Sequence, residues 1–598
     1  MPSFDLSDGN SSVTRKILYA AKWWNRLMRQ LILTAVLMTL VACGGGGSPT
    51  SPPPTGGGTG TGTGTGTGSG TGTGTGGGTG SSSGPTAEEL EAAALILDLT
   101  TFGATYDEIE SVARLGTEGW LDNQLATAPS LHEPITRRYG AEYGYEPGGL
   151  VPRPLYRRFA FFERALTAPD QLRQLTAYAL SQLFVVSQTG QLQNNPLGLA
   201  SFYDTLLVHS FGNFEDLLRA VSLHPAMGFY LSHVNNGKTN LDGNTFPDEN
   251  YAREVMQLFT IGLYELNPDG SRVLDGDGRP IPTYDNDDIQ EFAKIFTGLG
   301  YDDIEREPSF GRQRGALHLP MIMFDEYHEP GKKYLLNGFV VPEGQTGLQD
   351  IDDAVSNLFN HPNVGPFVGK QLIQRLVTSN PSPEYVARIT AVFNDNGDGV
   401  RGDMSAVIRA ILTDEEVAQA IRVREPFRRF VAVNRSLHAA PLSGTDYGAT
   451  GQAVEYLTGQ MVHSAPSVFN FYSPFYRPQG GQGLISPEMQ ITTEDTAIGM
   501  TNLMAFVLYE DQSMNTHPEF ADINIDLSEF IDLADDEDAF LTRMDLLFFA
   551  GQMSSHTEQV IRDVLDAASS YSALERARVG LYAGLIAPDQ AVMEGEGL

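Results

Sequence analysis

One cysteine, Cys43, serves all 598 residues. A disulfide framework within the chain and a multi-cysteine metal site are therefore excluded. Basic residues are scarce as well: 39 Lys and Arg stand against 74 Asp and Glu, a formal net charge of −35. Residues 1–43 hold five basic and two acidic side chains, so the remainder stands at −38. Such a chain repels phosphate backbones and anionic headgroups, which argues against a nucleic-acid binder. The plain reading is a solvated acidic surface, suited to cations or a salty medium. No P-loop, dinucleotide-binding glycine fingerprint or G-x-S-x-G elbow stands out. Ser or Thr nucleophiles stay open, because catalytic triads converge across sequence.

What is present begins with an address. Leu31 to Val41 reads LILTAVLMTLV, eleven uncharged residues. That is short of the roughly 20 that span a bilayer but right for the h-region of a signal peptide. Arg26 and Arg29 precede it as a positive n-region, and LVAC, Leu40 to Cys43, resembles the bacterial lipobox. The expectation is a lipoprotein with a lipidated Cys43 that attaches it to the membrane of the cell envelope. Translation from Met28 would give a more compact signal than translation from Met1. Gly44, in place of aspartate, favours the outer membrane if the host is Gram-negative. Residues 44–84 are almost entirely Gly, Thr, Ser and Pro, which cannot bury apolar surface and form a flexible linker spanning roughly 35 Å. The domain plan is a signal over 1–43, a disordered tether over 44–86 and a folded body over 87–598.

The body reads as mainly α, a large multi-helix globule with small β-hairpin insertions. Thr86 with Glu89 and Thr105 with Glu108 make capping boxes, and Gly116 ends the second helix. APDQLRQLTAYALSQLFVVS puts Pro169 in a first helical turn. Asn213 caps GNFEDLLRAVSL, and DNDDIQEFAKIFTGLG sets Ile289, Phe292, Ala293 and Phe296 on one face and stops at Gly298. Helical spacing recurs at about 350–360, 363–377, 383–393, 403–413, 425–438, 492–510 and 556–583. NPDGSRVLDGDGRPIPTY makes a small excursion with two turns, and Asn337-Gly338 is a hairpin signal.

PDENYAREVMQLFTIGLYELN is the most informative stretch. Asp248 caps a helix whose Ala252, Val255, Met256 and Phe259 face the core. Glu249 pairs with Arg253 and Asn250 with Glu254 at i,i+4; this polar face is either a solvated surface or the wall of a site. Two carboxylates one turn apart can hold a divalent cation or share a proton. His224 and His233 lie shortly before, and Asp325 and His328 sit in FDEYHEPGKK. Their spacing matches no recognised metal motif. They are candidate acid–base or metal groups only if the fold brings them together, and structural histidines otherwise. His361, before Pro362, reads as a helix-boundary residue. NDNGDGVRGDM resembles a calcium loop through Asn394, Asn396 and Asp398, with Asp403 following. Ser405 stands where a bidentate glutamate belongs, so a helix-to-helix turn capped by Asp403 is the competing reading. Calcium or another divalent metal is the only cofactor class these residues suggest. IRVREPFRRFVAVNRSLH concentrates arginines, which either pair internally, with Glu249 or Glu254 as possible partners, or bind an anionic ligand. APSVFNFYSPFYRP carries five aromatics, for core packing or for stacking on a sugar or a partner.

HPAMGFYLSH, DENYAREVMQLFTIGLYELN, PIPTYDNDDIQEFAKIFTGL, FDEYHEPGKKYLLNG, NHPNVGPFVGKQLIQRLVTSNPSPEYV, GVRGDMSAVIRAILTDEE and APSVFNFYSPFYRPQG, in order over about 90–510, resemble the bacterial domain of unknown function 1800 family. The resemblance implies an exported, mostly helical protein, often encoded beside a secreted partner of the domain of unknown function 1501 family. It carries no established catalytic residues. Many relatives have a histidine-rich WHNHF-like segment where this chain has LSQLFVVS, so any metal site there is lost. Two functions follow as expectations. One is an envelope binding or assembly protein working with a co-secreted partner. The other is an envelope enzyme, a metal-dependent hydrolase using Glu249, Arg253, Glu254, His224, His233 and His328 beside Asn250 and Asp325.

Overall fold

The computed structural model describes residues 84–144, 155–188, 190–302, 315–442, 450–480, 483–510 and 523–593, with Gly444 and Tyr447. Cys43 and the sequence up to residue 83 lie outside the described residues. The body opens with helices Ala87–Thr100 and Tyr106–Leu115, and both predicted capping boxes form. Each threonine oxygen accepts the N3 amide while the glutamate returns to the N-cap amide, satisfying two orphan donors at once. Asn213 and Asp403 cap their helices as their positions predict, and Asp285 caps another. The structure is mainly helical, with small antiparallel two-stranded sheets. No described helix is long and apolar enough to cross a membrane.

Two helix boundaries differ from expectation. Pro169 precedes its helix, which starts at Gln171 after Asp170. The pattern over 556–583 is two helices, Ser555–Ala567 and Ala573–Leu585. Ser572 accepts from the Glu575 amide and Glu575 reaches back to Ser572, so a fresh N-terminus competes with continuation.

Neighbouring helices pack as pairs, such as Val364–Leu376 with Pro383–Asn394 and Thr450–Thr458 with Glu494–Tyr509. Lys333–Tyr334 pairs with Val340–Val341 around the expected turn, where Asn337 and Gly338 adopt φ of 57° and 72°. Two other sheets join segments far apart in sequence: Arg422–Val423 with Val592–Met593, and Ala440–Pro441 with Ile523–Asn524.

The helix Pro426–Ser436 is largely buried. The first two helices dock on it through ions. Arg424 pairs with Asp98 at 3.2 Å and Arg435 with Glu108 at 2.6 Å, while Arg428 donates to the Asp98 carbonyl at 2.8 Å. The arginine run is thus paired internally, but with the N-terminal helices and not with Glu249 or Glu254. Gly103 lets the chains approach: a Cβ there would lie 2.6 Å from the Ala432 Cα, and its φ is 109°. Beneath sits an aromatic knot in which Tyr178 stacks on Phe427 at 5.6 Å and Phe161 packs at 5.5 Å. These rings belong to one apolar core running from Ala93 to Leu585.

Candidate functional site

The informative stretch folds as an α-helix, Asn250–Glu254, that widens into a π-helical turn, Val255–Thr260. Asp248 accepts the Asn250 amide at 2.9 Å, and Val255, Met256 and Phe259 are buried as their spacing predicts. In the wide turn, the Ile261 and Gly262 amides both reach the Met256 carbonyl. Glu249 and Arg253 form a 3.3 Å pair with both side chains about 40% exposed, a solvated contact of small energetic weight. Glu254 differs. It is 8% exposed, and its buried Oε2 has no hydrogen-bond partner among the protein atoms. Burial raises its carboxyl pKa, with Arg253 opposing, and its charge adds to the burial that lifts Tyr230.

The three candidate histidines occupy separate environments. His224 caps helix Pro225–Tyr230 by accepting the Ala226 amide at 3.2 Å, and its other nitrogen lies 3.3 Å from the Ser201 hydroxyl. His233 donates to the Ser222 carbonyl at 2.9 Å and lies 3.9 Å, ring to ring, from Tyr251. Burial pushes these imidazoles down to about 3 and about 4, so both are neutral at pH 7. His328 has a charged setting. Its Nδ1 meets the Thr297 carbonyl at 2.9 Å, and its Nε2 meets Asp350 at 2.9 Å and the Lys333 ammonium at 3.1 Å. Lys333 donates to the same Asp350 oxygen. Burial works to raise the Asp350 pKa, but the bonds from His328 and Lys333 outweigh it and hold it below its ordinary value. At 1–6% exposure, these groups lock the Lys333–Tyr334 strand to helix Gly347–Phe359. Asp325 accepts the Gly347 amide at 2.8 Å and helps start that helix.

In the calcium-like loop the side-chain oxygens of Asn394, Asn396 and Asp403 accept from the protein's own donors. Asn394 accepts from Arg401, and Asn396 accepts the Asp398 and Val400 amides and donates to Asp403 at 2.7 Å. Asp403 also takes the Ser405 and Ala406 amides. The loop is built as the capped helix-to-helix turn. Among the described residues no three His, Cys, Asp or Glu side chains converge as a metal-holding group.

Sequence reasoning missed the most connected polar group, Glu425, which is fully buried. Tyr178 donates to it at 2.9 Å, Gln182 at 2.7 Å and Gln460 at 3.0 Å, and Tyr472 also donates to it. Glu488 lies alongside, 3.7 Å from Arg422, and burial pushes its carboxyl up to about 7. Four stretches singled out above or adjoining them meet here: Gln182 from LSQLFVVS, Glu425 from the arginine run, Tyr472 from the aromatic segment and Glu488 just beyond it. The available signal was a glutamate amid five arginines.

With its acceptor sites taken, Glu425 acts as an anchor, and what it anchors is a surface. Tyr472 is held inside while Phe469 and Phe475, three residues to either side, are 58% and 65% exposed. The segment is fixed elsewhere too: the Ser473 amide donates to Gln490 at 2.7 Å, and Asn380 exchanges bonds of 2.7 and 2.8 Å with the Ile485 backbone. Leu484, at 55% exposure, and Met489 add apolar surface. The aromatic stretch is therefore divided, one ring packed and two presented.

A family model described as protein of unknown function (DUF1800) matches residues 96–590. No curated protein and no solved structure matches the chain significantly.

Proposed function

We propose, for a chain that belongs to the DUF1800 family of proteins of unknown function, a binding and assembly role at the cell envelope. Lipid on Cys43 would hold the body to the membrane, outer membrane in a Gram-negative host, and residues 44–86 would give it reach. The partner is a co-secreted protein of the domain of unknown function 1501 family. The observation that carries this reading is the exposed pair Phe469 and Phe475 on a segment pinned through Tyr472 to buried Glu425. A rigid aromatic patch loses little conformational entropy on docking, and aromatic anchors concentrate binding energy. The test is co-purification with that partner from native membranes under mild conditions. Wild type recovers the complex, and the Phe469→Ser/Phe475→Ser double variant loses it. Recovery of the wild-type protein alone counts against the role.

A second reading rests on Glu254, whose buried, unpartnered oxygen suits an acid–base group or a ligand to a divalent metal in an envelope hydrolase. Metal analysis of the purified protein, with Glu254→Gln beside wild type, separates the two. Absence of metal and unchanged function in the variant sinks the hydrolase.

A further inference from the structure

Charge in the interior is unevenly spread. Around the start of helix Pro426–Ser436, five arginines, 375, 422, 424, 428 and 429, face three carboxylates, Asp98, Glu425 and Glu488. A chain of net charge −35 thus gathers at this helix start at least two more cationic than anionic side chains, since burial lifts the Glu488 carboxyl to about 7. Four of these arginines, with Asp98 and Gln590, border a cavity of ≈ 30 Å³. Asp98 is the only carboxylate on its wall among the described residues.

The protein spends only part of each guanidinium's five donors. Arg424 bonds Asp98 through two nitrogens and the Gln590 carbonyl, Arg428 bonds the Asp98 and Thr101 carbonyls, and Arg429 bonds the Gln590 side chain and the Leu585 carbonyl. Desolvation pushes Arg428 down to about 10 and Arg429 to about 9, the neighbouring Arg424 adding to the second. Arg424, Arg428 and Arg429 are half-buried, so water screens them only in part, and gathering cations there is costly unless a counter-charge joins them.

We propose that this cavity binds a small inorganic anion of halide size. The space exceeds the roughly 10–15 Å³ that admits one water and is far too small for a sugar or a nucleotide. Water would fill the volume but leave the charge excess, whereas a halide answers both. The ion bridges the first helix, helix Pro426–Ser436 and the turn at Gln590.

The test reads quadrupolar line broadening of chloride by the full chain, with gluconate, which the cavity cannot admit, holding ionic strength constant. Expected is a saturable excess width that bromide displaces, and its loss in Arg429→Gln. Excess width that is absent or does not saturate in wild type, or that persists in Arg429→Gln, overturns the proposal. Circular dichroism checks that the variant folds. If it does not, Arg429→Lys, which keeps the charge but not the planar fork, takes its place and is expected to weaken the saturable width; unchanged width there also overturns the proposal.

Discussion

Replacing Glu425 tests the view that one buried carboxylate organises the centre of the fold. Glu425→Gln keeps the volume, and an amide turned toward Tyr178 still finds a partner, because a tyrosine hydroxyl can accept as well as donate. The charge is lost, however. Bonds to a charged group contribute about 1.5–3 kcal/mol each. Several are weakened together, so the expected cost of Glu425→Gln is about 3 kcal/mol. Glu425→Ala goes further, since Tyr178, Gln182, Gln460 and Tyr472 all lose their acceptor. At about 1–3 kcal/mol for each unanswered donor, the loss approaches the roughly 5–15 kcal/mol of a typical domain's stability. Tyr472→Phe removes one donor and leaves the carboxylate with three, so it costs about 1.5–3 kcal/mol. The assay is urea unfolding followed by the fluorescence of Trp120, which is 8% exposed; the other tryptophans, Trp23 and Trp24, precede Cys43. The midpoint should fall at constant m in the order Tyr472→Phe, Glu425→Gln, Glu425→Ala. A Glu425→Gln variant as stable as wild type, or Tyr472→Phe costing more than Glu425→Ala, would refute the reasoning.

Three further predictions follow from other parts of the fold. Gly499→Ala, normally a small gain inside a helix, should cost about 1–3 kcal/mol, because its Cβ would lie 2.0 Å from the Leu457 carbonyl oxygen and push two paired helices apart; thermal unfolding reads this. His463 is held at about 3 by burial, so the folded state binds fewer protons than the unfolded state below pH 6.5. Stability from this residue is present above pH 6.5 and lost as pH falls toward 3. His463→Asn keeps a donor for the Val186 carbonyl and tolerates the positive φ. It should remove about 1.4 kcal/mol per pH unit from the slope of stability between pH 4 and 6, and an unchanged slope would refute the assignment. Arg435→Met should destabilise by about 2 kcal/mol, because it strips the carbonyl of Gly103 and the carboxylate of Glu108 of a shared donor; Glu108→Gln should cost less, and the opposite order in urea melts would refute this.

What could be read in advance was what is local. Thr86, Thr105 and Asn213 announce helix starts because cap and amide lie within three residues of each other. Asn337-Gly338 announces its turn because both residue types tolerate the left-handed backbone that they adopt. The anchor at Glu425 was illegible because Tyr178 and Gln182 lie 247 and 243 residues away, and no periodicity reports such a meeting. The same distance effect hid the pairing of Arg422–Val423 with Val592–Met593. The polar residues around Glu249 and His328 were picked out for the chemistry their side chains can do. Spacing could not show that the fold distributes them among a solvated pair, a helix cap, a ring stack and a buried lock. Gln182 is instructive: it lies in LSQLFVVS, where no charged residue draws notice, and it supplies a donor to the Glu425 carboxylate.

The docking of the first two helices on a helix more than 300 residues later also has a meaning in time. Asp98 and Glu108 are made long before Arg424 and Arg435, and at about 5–20 residues per second the gap lasts roughly 15–65 s. Through that interval the apolar faces of Ala87–Thr100 and Tyr106–Leu115 lack their final cover. The nascent chain is thus a standing client for whatever guards unfinished polypeptides, and its earliest segments are the last to become safe.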